Sequence, residues 1–538
     1  MANDITADVL IIGTGVAGAI AGAKLAAKGL SVAFLESGKR IERYDAVEKF
    51  WNAKIKVPES PYPNDPEAPH PLTHRIEDFY QQQGPELFKS TYIKVVGGTT
   101  WHWLGTTLRN LPSDFKMKTL YGHAVDWPIG YDDLEPFYLA AENEIGVAGN
   151  SDEDLGSPRS GDFPMPNIPM TYLDKHFASA LEGTRYHVRS TPQGRNSVYR
   201  EDRPECCGNN SCIPICPIQA KYDATVHVAQ AENAGAQIHS ETTATRLNVG
   251  NDGKIASVDF RRADGSTGTA SGKIVIVAAH AVETPRLLLN SAQENAPNGV
   301  ANSSDQVGRN LMDHPTRLSW AEAAEPVFPY RGPLSTSGIE NLRDGDFRRE
   351  RGAFRIEIGN DGHSWPTGAP TSTAADLAAQ GLRGEELDAA LKDAASRQIR
   401  LASLVEQSPS AENRVTLDPE KKDANGVPLP RIHYDFDDYT RKGLEAAEKA
   451  HDEVFQALGA KNVRHSPDIQ GAGHIIGTVR MGADASSAVV DSDQRSFDHP
   501  NLFLLGSGTF PTSATANPTL TIAALALRSV NAIAASAK

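Results

Sequence analysis

The sequence predicts an α/β fold into which a second, sheet-based α+β domain is inserted. Two observations predict the α/β part: the chain opens as strand, glycine turn, helix and strand, and a buried strand followed by a helix returns at 273–289. A third predicts the insertion, because residues 321–465 change to polar, irregular segments with short strand patterns. We therefore predict residues 1–320 and 466–538 as the two parts of the first domain and 321–465 as a substrate domain.

The opening unit carries the strongest local signal. Residues 7–12 form an apolar run, and Gly13, Gly15 and Gly18 follow before an alanine-rich helical stretch. Gly13 permits a tight turn, Gly15 lets the backbone approach a pyrophosphate, and Gly18 lets the helix lie close to the strand. The second apolar run ends on Glu36, whose carboxylate can accept hydrogen bonds from ribose hydroxyls. The pattern predicts a Rossmann-like dinucleotide site; the alternative is a glycine-rich turn without a ligand.

Composition excludes several classes of protein. A net charge of −15 argues against nucleic acid and anionic lipid as partners, and 39% hydrophobic residues with 45 Gly and 34 Pro fit a loop-rich enzyme. The most apolar stretch, 519–535, is interrupted by Arg528 and Asn531 and is therefore predicted as a core helix. Residues 58–71 are predicted as proline-rich surface loops. The first residues do not resemble a signal peptide, so composition alone predicts a cytoplasmic protein.

All four cysteines lie in one loop, at positions 206, 207, 212 and 216. Such crowding in a Gly/Asn/Pro-rich segment suits a metal centre better than a disulfide framework. The spacing differs from the two C-x2-C knuckles of a zinc ribbon and is closer to loops that hold iron–sulfur clusters. Zinc, disulfides and free thiols remain the alternatives.

Three further segments are candidates for ligand binding. Gly97-Gly-Thr-Thr-Trp-His-Trp103 is typical of backbone packed against a flat ligand, or else of a tight turn in an aromatic cluster. Gly471 to Gly482 contains the glycine-flanked His474. Asn517 precedes the final helix, with Pro518 predicted as its first residue. Two longer helices are predicted at 374–398 and 438–458.

Together these motifs resemble the glucose–methanol–choline (GMC) family of flavoproteins, over nearly the whole chain. The resemblance depends on the glycine turn with Glu36, the Gly97–Thr100 run, the segments 278–289 and 308–315, and the closing His474 and Asn517. The cysteine loop is similar to that of a narrower group, the large flavin subunits of bacterial membrane-bound sugar, sugar-alcohol and sugar-acid dehydrogenases (the glucose, fructose, sorbitol and gluconate type).

The resemblance implies bound FAD and a [3Fe–4S] cluster. The cluster is expected on Cys206, Cys212 and Cys216, with Cys207 as the remaining alternative. His102 is expected near the flavin, either attached covalently to its methyl group or packed and hydrogen-bonded beside it. The candidate FAD-binding residues are Gly13, Gly15, Gly18, Glu36, Gly97, Gly98, Thr99, Thr100, His102, Ala279, Gly508, Pro518 and Thr519.

The resemblance also implies partners and a location. The implied partners are a small subunit that carries the export signal and a membrane-bound multihaem cytochrome c. With these partners, the expected location changes from the cytoplasm to the periplasmic face of the inner membrane. Oxidation of a sugar hydroxyl is then expected to send electrons through the cluster to the cytochrome.

We expect His474 to be the general base, because neutral imidazole accepts a proton near pH 7, and Asn517 to stabilise the developing alkoxide. The alternatives are that His474 only hydrogen-bonds backbone groups and that Asn517 is an ordinary helix N-cap. Glucose or a related neutral sugar is the first expectation for the substrate; gluconate is the alternative, since Arg317 and Arg480 would suit a carboxylate. The competing functions are an alcohol oxidase that uses O2 and has a structural metal loop, and a non-catalytic electron-transfer subunit.

Overall fold

The computed structural model describes residues 4–52, 79–90, 92–210, 212, 213 and 215–538. The predicted proline-rich loops at 58–71 lie outside the described residues. The strands in chain order are β1 (Ile5–Ile12), β2 (Val32–Leu35), β3 (Gln81–Gln83), β4 (Ala148–Gly149), β5 (Met165–Pro166), β6 (Val188–Ser190), β7 (Gln237–His239), β8 (Thr242–Val249), β9 (Ile255–Arg262), β10 (Thr267–Val277), β11 (Pro315–Glu322), β12 (Ser337–Ile339), β13 (Phe354–Gly359), β14 (Gln398–Val405), β15 (Arg414–Lys422), β16 (Pro428–His433), β17 (Lys461–His465), β18 (Gln470–Gly471) and β19 (Leu502–Leu504). The α-helices are α1 (Val16–Ala27), α2 (Arg43–Asn52), α3 (Met117–Tyr121), α4 (Tyr131–Ile145), α5 (Tyr172–Ala180), α6 (Thr225–Asn233), α7 (Glu283–Asn290), α8 (Ser364–Thr367), α9 (Thr371–Ala379), α10 (Gly384–Arg397), α11 (Asp438–Ala457) and α12 (Thr519–Ser536).

The first sheet confirms the predicted α/β fold. Its seven strands follow the order β7-β2-β1-β10-β9-β8, with β19 also paired to β10. The strands β7, β2, β1, β10 and β19 are parallel to one another, whereas β9 pairs antiparallel with β10 and β8 pairs antiparallel with β9. Helices α1, α6 and α12 pack on this sheet, so β1 is apolar and buried on both faces, as expected for a central parallel strand.

The second sheet is antiparallel and follows the order β17-β11-β14-β13-β12-β6, with β18 also paired to β11. Helix α11 packs on one face of it and buries its apolar side, including Leu444, Val454 and Phe455. Strand β6 and most of β11 precede 321–465, yet β6 pairs with β12 and β11 pairs with β14 and β17, so this sheet includes strands from outside the predicted insertion. The domain boundaries themselves stay a prediction.

Two predicted helix boundaries are wrong. The helix predicted at 374–398 is divided into α9 and α10, because Gly381 adopts φ +99° and so ends the first helix in the left-handed region. Pro518 is the N-cap of α12 and not its first residue, since regular helical hydrogen bonding begins at Thr519.

By length and composition, α12 is the one described helix that could cross a membrane. It packs instead between α1 and α4, with Leu520, Ala524 and Val530 buried. The packing is that of the core helix predicted from the sequence.

Candidate active site

A cavity of about 820 Å³ lies between the two sheets. Its walls come from the glycine turn, the segment after Gly97, the loop that carries His474, the start of α12 and one face of the second sheet. This volume is within the range of cofactor and small-molecule sites in proteins.

The three glycines of the turn have different structural roles. A Cβ on Gly13 would lie 2.5 Å from the carbonyl oxygen of Ala278, and one on Gly18 would lie 2.2 Å from the carbonyl oxygen of Gly13. Gly15, in contrast, has no atom within 4 Å of its Cβ position and lines the cavity as the N-cap of α1. Gly13 and Gly18 are therefore required by packing, whereas Gly15 leaves room for a ligand at the helix N-terminus.

Glu36 is buried at the end of β2 and lines the cavity. Its carboxylate accepts hydrogen bonds from the backbone N–H and hydroxyl of Thr14 and from the backbone N–H of Gly38. Burial raises the pKa of Glu36 above its ordinary value. These bonds fix the carboxylate at the position predicted for ribose recognition.

Most of the other predicted cofactor-binding residues reach the cavity. Its lining includes Gly98, Thr99, Thr100, His102, Ala279, Pro518 and Thr519. Gly97 instead donates its N–H to the Thr14 hydroxyl, and Gly508 packs against Thr478 and Val479. The structure places Gly506 and Ser507 on the cavity wall beside Gly508, and the sequence argument missed both.

His474 and Asn517 meet in the cavity although they are distant in sequence. The Asn517 amide Nδ2 lies 3.4 Å from Nε2 of His474, and both residues line the cavity. On the other side of the imidazole, Nδ1 of His474 lies 2.7 Å from Nδ1 of His314. The two candidate residues thus lie together, with a third residue, His314, beside them that has no role assigned from the sequence.

The hydrogen bonds around His314 determine the tautomer of His474. Nε2 of His314 contacts only the carbonyl oxygens of Ser513 and Ala514, so this nitrogen must carry the proton. Burial lowers the pKa of His314 to about 4, which leaves Nδ1 unprotonated as an acceptor. His474 must therefore donate from Nδ1, and its Nε2 lone pair faces the cavity, where Nδ2 of Asn517 lies 3.4 Å from it.

The same environment keeps His474 neutral. Burial, followed by the nearby His314 and Arg355, lowers the pKa of His474 well below 6.5. A neutral imidazole with its lone pair toward the cavity is the form that a general base requires.

Asp313 holds both histidine segments. Its carboxylate accepts the backbone N–H groups of His314 and His474 and the hydroxyl of Ser90. Burial raises the pKa of Asp313 to about 6. The Asp313-His314 pair lies within the 308–315 segment, which the sequence argument used only as a sign of resemblance.

Arg355 of β13 sets the orientation of the Asn517 amide. Its Nη1 lies 3.4 Å from Oδ1 of Asn517 and 2.6 Å from Glu357, and Nη2 lies 2.9 Å from Glu340. With Oδ1 facing a cation, the amide directs Nδ2 toward His474 and the cavity. No local motif marks Arg355, because it meets Asn517 only through the tertiary fold.

The cysteine loop lies against the cavity wall. Arg195 donates to Sγ of Cys212 at 3.2 Å and to the carbonyl oxygen of Leu104 at 2.6 Å, and Lys221 donates to the carbonyl oxygens of Cys212 and Trp101. From the loop itself, Asn210 and Ile213 reach the cavity lining. The loop is thereby joined to the 101–105 segment that lines the cavity.

The four cysteines differ in environment. Cys212 is buried, Cys206 and Cys216 are partly buried, and Cys207 is exposed. Burial opposes ionisation of Cys212, but Arg195 lowers the pKa of this thiol below its ordinary value, and Arg195 also interacts with the charges of Cys206 and Cys216. All four are free thiols, and no group of three His, Cys, Asp or Glu side chains among the described residues has the geometry of a metal site.

Arg317 and Arg480 do not reach the cavity lining within the described part of the chain. Arg317 pairs with Glu448 of α11, and Arg480 donates to the carbonyl oxygen of Ser487. Neither guanidinium is placed to bind a substrate carboxylate.

Comparisons with known proteins agree with this arrangement. Two models of the GMC oxidoreductase family match residues 176–316 and 409–526. The fructose dehydrogenase large subunit of Gluconobacter japonicus is 36% identical over 99% of both chains. The gluconate 2-dehydrogenase flavoprotein of Pantoea cypripedii is 24% identical, covering 99% of this chain and 94% of the relative.

Solved structures show the same fold. A variant of the formate oxidase of Aspergillus oryzae superposes with a TM-score of 0.67 at 15% identity over 99% of both chains. Pyridoxine 4-oxidase from Mesorbium loti gives a TM-score of 0.65 at 18% identity over 98% of both chains.

The chain belongs to the GMC oxidoreductase family. It is an FAD-dependent enzyme that acts on CH–OH groups. The cavity fits this cofactor, because the unobstructed Gly15 lies at the N-terminus of α1 and the fixed Glu36 carboxylate lies at the end of β2.

Proposed function

We propose that this enzyme is the catalytic subunit of a sugar dehydrogenase that oxidises one hydroxyl of a neutral hexose or sugar alcohol. The observation that carries the proposal is the pair of His474 Nε2 and Asn517 Nδ2, directed into one cavity with the glycine turn. Fructose and glucose are the first substrates to test: a relative of 36% identity is named for the former, and the sequence argument favoured the latter.

The protein groups act on the substrate hydroxyl. The hydroxyl donates its proton to Nε2 of His474, while the Asn517 amide donates to the same oxygen and stabilises its developing negative charge. FAD, when bound, supplies the acceptor for the hydride of the carbinol carbon. His474 then carries the proton, and its Nδ1–H remains bonded to His314.

We propose further that electrons leave through an iron–sulfur cluster, with Cys206, Cys212 and Cys216 as ligands. Three features support this assignment: the buried Arg195 donates to Sγ of Cys212 and interacts electrostatically with Cys206 and Cys216, Cys207 is exposed, and the backbone N–H of Lys221 donates to Sγ of Cys216 at 3.5 Å. The chemistry fits because thiolates near fixed positive charges and backbone N–H groups are typical cluster ligands. A bound cluster would supply one-electron transfer.

A protein acceptor follows from such a route. We propose a small subunit and a multihaem cytochrome c as partners, at the periplasmic face of the inner membrane. Support comes from the relative named as a large subunit, since a large subunit assembles with at least one other chain.

A substrate panel with a dye acceptor tests the catalytic role. The purified holoenzyme is expected to reduce the dye with hexoses or sugar alcohols, and His474→Ala is expected to lower kcat by about 10²- to 10⁴-fold with FAD still bound. FAD content, measured by absorbance, is the control. Near-normal turnover in the variant would contradict the base assignment.

Cysteine variants test the electron route. Cys216→Ser is expected to lose iron and the reduction of an added soluble cytochrome c, while substrate still reduces the bound FAD. Cys207→Ser is the matched control, because its exposed thiol is expected to leave iron content and cytochrome reduction unchanged. Cytochrome reduction by an iron-free Cys216→Ser enzyme would overturn the cluster as the route, and rapid reoxidation by O2 alone would favour an oxidase.

A further inference from the structure

The face of the second sheet opposite α11 covers the cavity. Strand register places Glu357 of β13 opposite Ala402 of β14, and Gly359 opposite Arg400. Glu357, Arg400 and Ala402 all line the cavity. The side chains of this face therefore surround a substrate held near His474.

Arg400 is held in one orientation on this face. Its Nε lies 2.9 Å from Oδ1 of Asp361, and its guanidinium carbon lies 5.6 Å from the ring centre of Trp365. A Cβ on Gly359 would lie 2.4 Å from Nη2 of Arg400, so the guanidinium occupies the space that this glycine leaves open. Asp361 and Trp365 also line the cavity.

Glu357 connects this group to the catalytic pair. Its carboxylate accepts from Nη1 of Arg355, and the same nitrogen contacts Oδ1 of Asn517. The cavity that contains Asn517 and His474 therefore also contains the carboxylate, the guanidinium and the indole of this group, and all three are available to a substrate bound there.

The charge of this region favours a neutral ligand. The three arginines, 343, 355 and 400, are matched by three carboxylates, Glu340, Glu357 and Asp361. Lys89, which also lines the cavity, pairs with Asp468. An anionic sugar acid would meet no unpaired cation among these groups, whereas carboxylate and guanidinium groups can both bind hydroxyls.

We propose that Glu357, Asp361, Arg400 and Trp365 form a subsite that binds the hydroxyl groups of a neutral sugar remote from the oxidised carbon. Arg400 donates hydrogen bonds, the two carboxylates accept them, and the Trp365 ring packs against the C–H face of the sugar. The subsite determines specificity and takes no part in proton or hydride transfer. This inference depends on the proposed function for its substrate class.

Steady-state kinetics with two substrates test the subsite. Arg400→Leu is expected to raise KM for the hexose at least ~10-fold, because hydrogen bonds to a charged group are lost, with kcat changed less than about threefold. Glycerol, which has few remote hydroxyls, is expected to keep its KM within about twofold. Gly359→Ala is expected to have a smaller effect in the same direction, because its Cβ displaces the guanidinium without removing it.

Arg317→Leu is the matched control, since Arg317 lies on the opposite face of the same sheet and contacts Glu448 of α11. It is expected to leave KM for the hexose unchanged. The double variant Arg400→Leu with Asp361→Asn avoids an unpaired carboxylate and is expected to retain the raised KM, with thermal unfolding as the check on folding.

Equilibrium binding separates failure of this inference from failure of the proposed function. In a His474→Ala background, hexose binding is followed by the change in flavin absorbance, and Arg400→Leu is expected to weaken it at least ~10-fold. Unchanged hexose affinity, or an equal loss for glycerol, would overturn the subsite. Arg400-dependent hexose binding by a holoenzyme that oxidises no sugar would refute the proposed function and leave the subsite standing.

Discussion

At the scale of single residues, the direction of the hydrogen bonds decides which nitrogen of His474 is the base. His314 can only donate from Nε2, so it accepts from Nδ1 of His474 and leaves Nε2 of His474 unprotonated, with its lone pair toward Asn517 and the cavity. Arg355 orients the Asn517 amide, because its Nη1 faces Oδ1 and the amide Nδ2 is then directed toward His474. The sequence indicated His474 and Asn517 as the pair. The orientation of each depends on a further side chain: His314, from a segment used only as a sign of resemblance, and Arg355, which lies in no motif.

The first prediction concerns the pH dependence set by His314. Because a lowered pKa keeps His474 neutral, kcat/KM of the enzyme is expected to be level from neutral pH to below 6.5, and to fall only as His474 takes up a proton. His314→Phe removes a group that lowers the pKa of His474, so the fall is expected at higher pH. A pH profile of kcat/KM checks this.

The same variant also loses the acceptor for the Nδ1–H of His474. We expect kcat to fall about 10- to 100-fold, less than the about 10²- to 10⁴-fold that general-base catalysis contributes because the base itself remains, with KM nearly unchanged. Thermal unfolding of the variant is the control for a purely structural effect. An acid limb at the same pH as in the parent enzyme would contradict the positioning role.

At the scale of elements, the glycines of the turn between β1 and α1 have two different roles, packing and ligand binding. Gly13 and Gly18 have no space for a side chain, because the backbone of the turn and of residue 278 lies against them. Gly15 has space that opens to the cavity. The G-x-G-x-x-G spacing predicted all three glycines, and the structure shows that, of the three, Gly15 alone has room at its Cβ position among the described residues.

Gly15 and Gly18 therefore make a matched pair of variants. Gly18→Ala is expected to destabilise the protein with or without FAD, since its Cβ would lie 2.2 Å from a backbone oxygen. Gly15→Ala is expected to leave the stability of the apoprotein nearly unchanged and to weaken FAD retention. Thermal unfolding and FAD titration measure the two effects, and equal loss of apoprotein stability in both variants would contradict the distinction.

At the scale of the whole molecule, a buried arginine joins the end of a strand of the second sheet to the 112–115 segment. Arg348 is fully buried, pairing with Asp114 at 2.8 Å and with Glu406 at 2.6 Å. Asp114 follows the segment that lines the cavity, whereas Glu406 follows β14 of the second sheet. The ion pairs thus connect two segments that are distant in sequence, one of them next to β14 of the second sheet.

Removal of Arg348 leaves two buried carboxylates without their cation. Arg348→Met is expected to lower the free energy of unfolding by about 3–5 kcal/mol. Arg397→Met, on the exposed side of α10, is the control and is expected to change stability by less than about 1 kcal/mol. Chemical denaturation measures both, and equal stabilities would show that the buried pairs do not hold the two segments together.

The sequence by itself determined the features that depend on neighbours along the chain. These are the βαβ unit with Gly15 and Glu36, the cysteine loop, the helix that begins after Pro518, and the candidate roles of His474 and Asn517. Turn geometry, capping and periodicity act over a few residues, so the sequence carries them directly.

Only the tertiary structure decided what meets across the cavity. His314 reaches His474 across 160 positions, Arg355 reaches Asn517 across 162, and Arg400 faces the cavity because of its register with β13. Strand order and register follow from the packing of the whole sheet against α11, which no local pattern encodes. The candidate groups of the site were therefore readable in the sequence, whereas their orientation and the groups proposed to select a substrate required the fold.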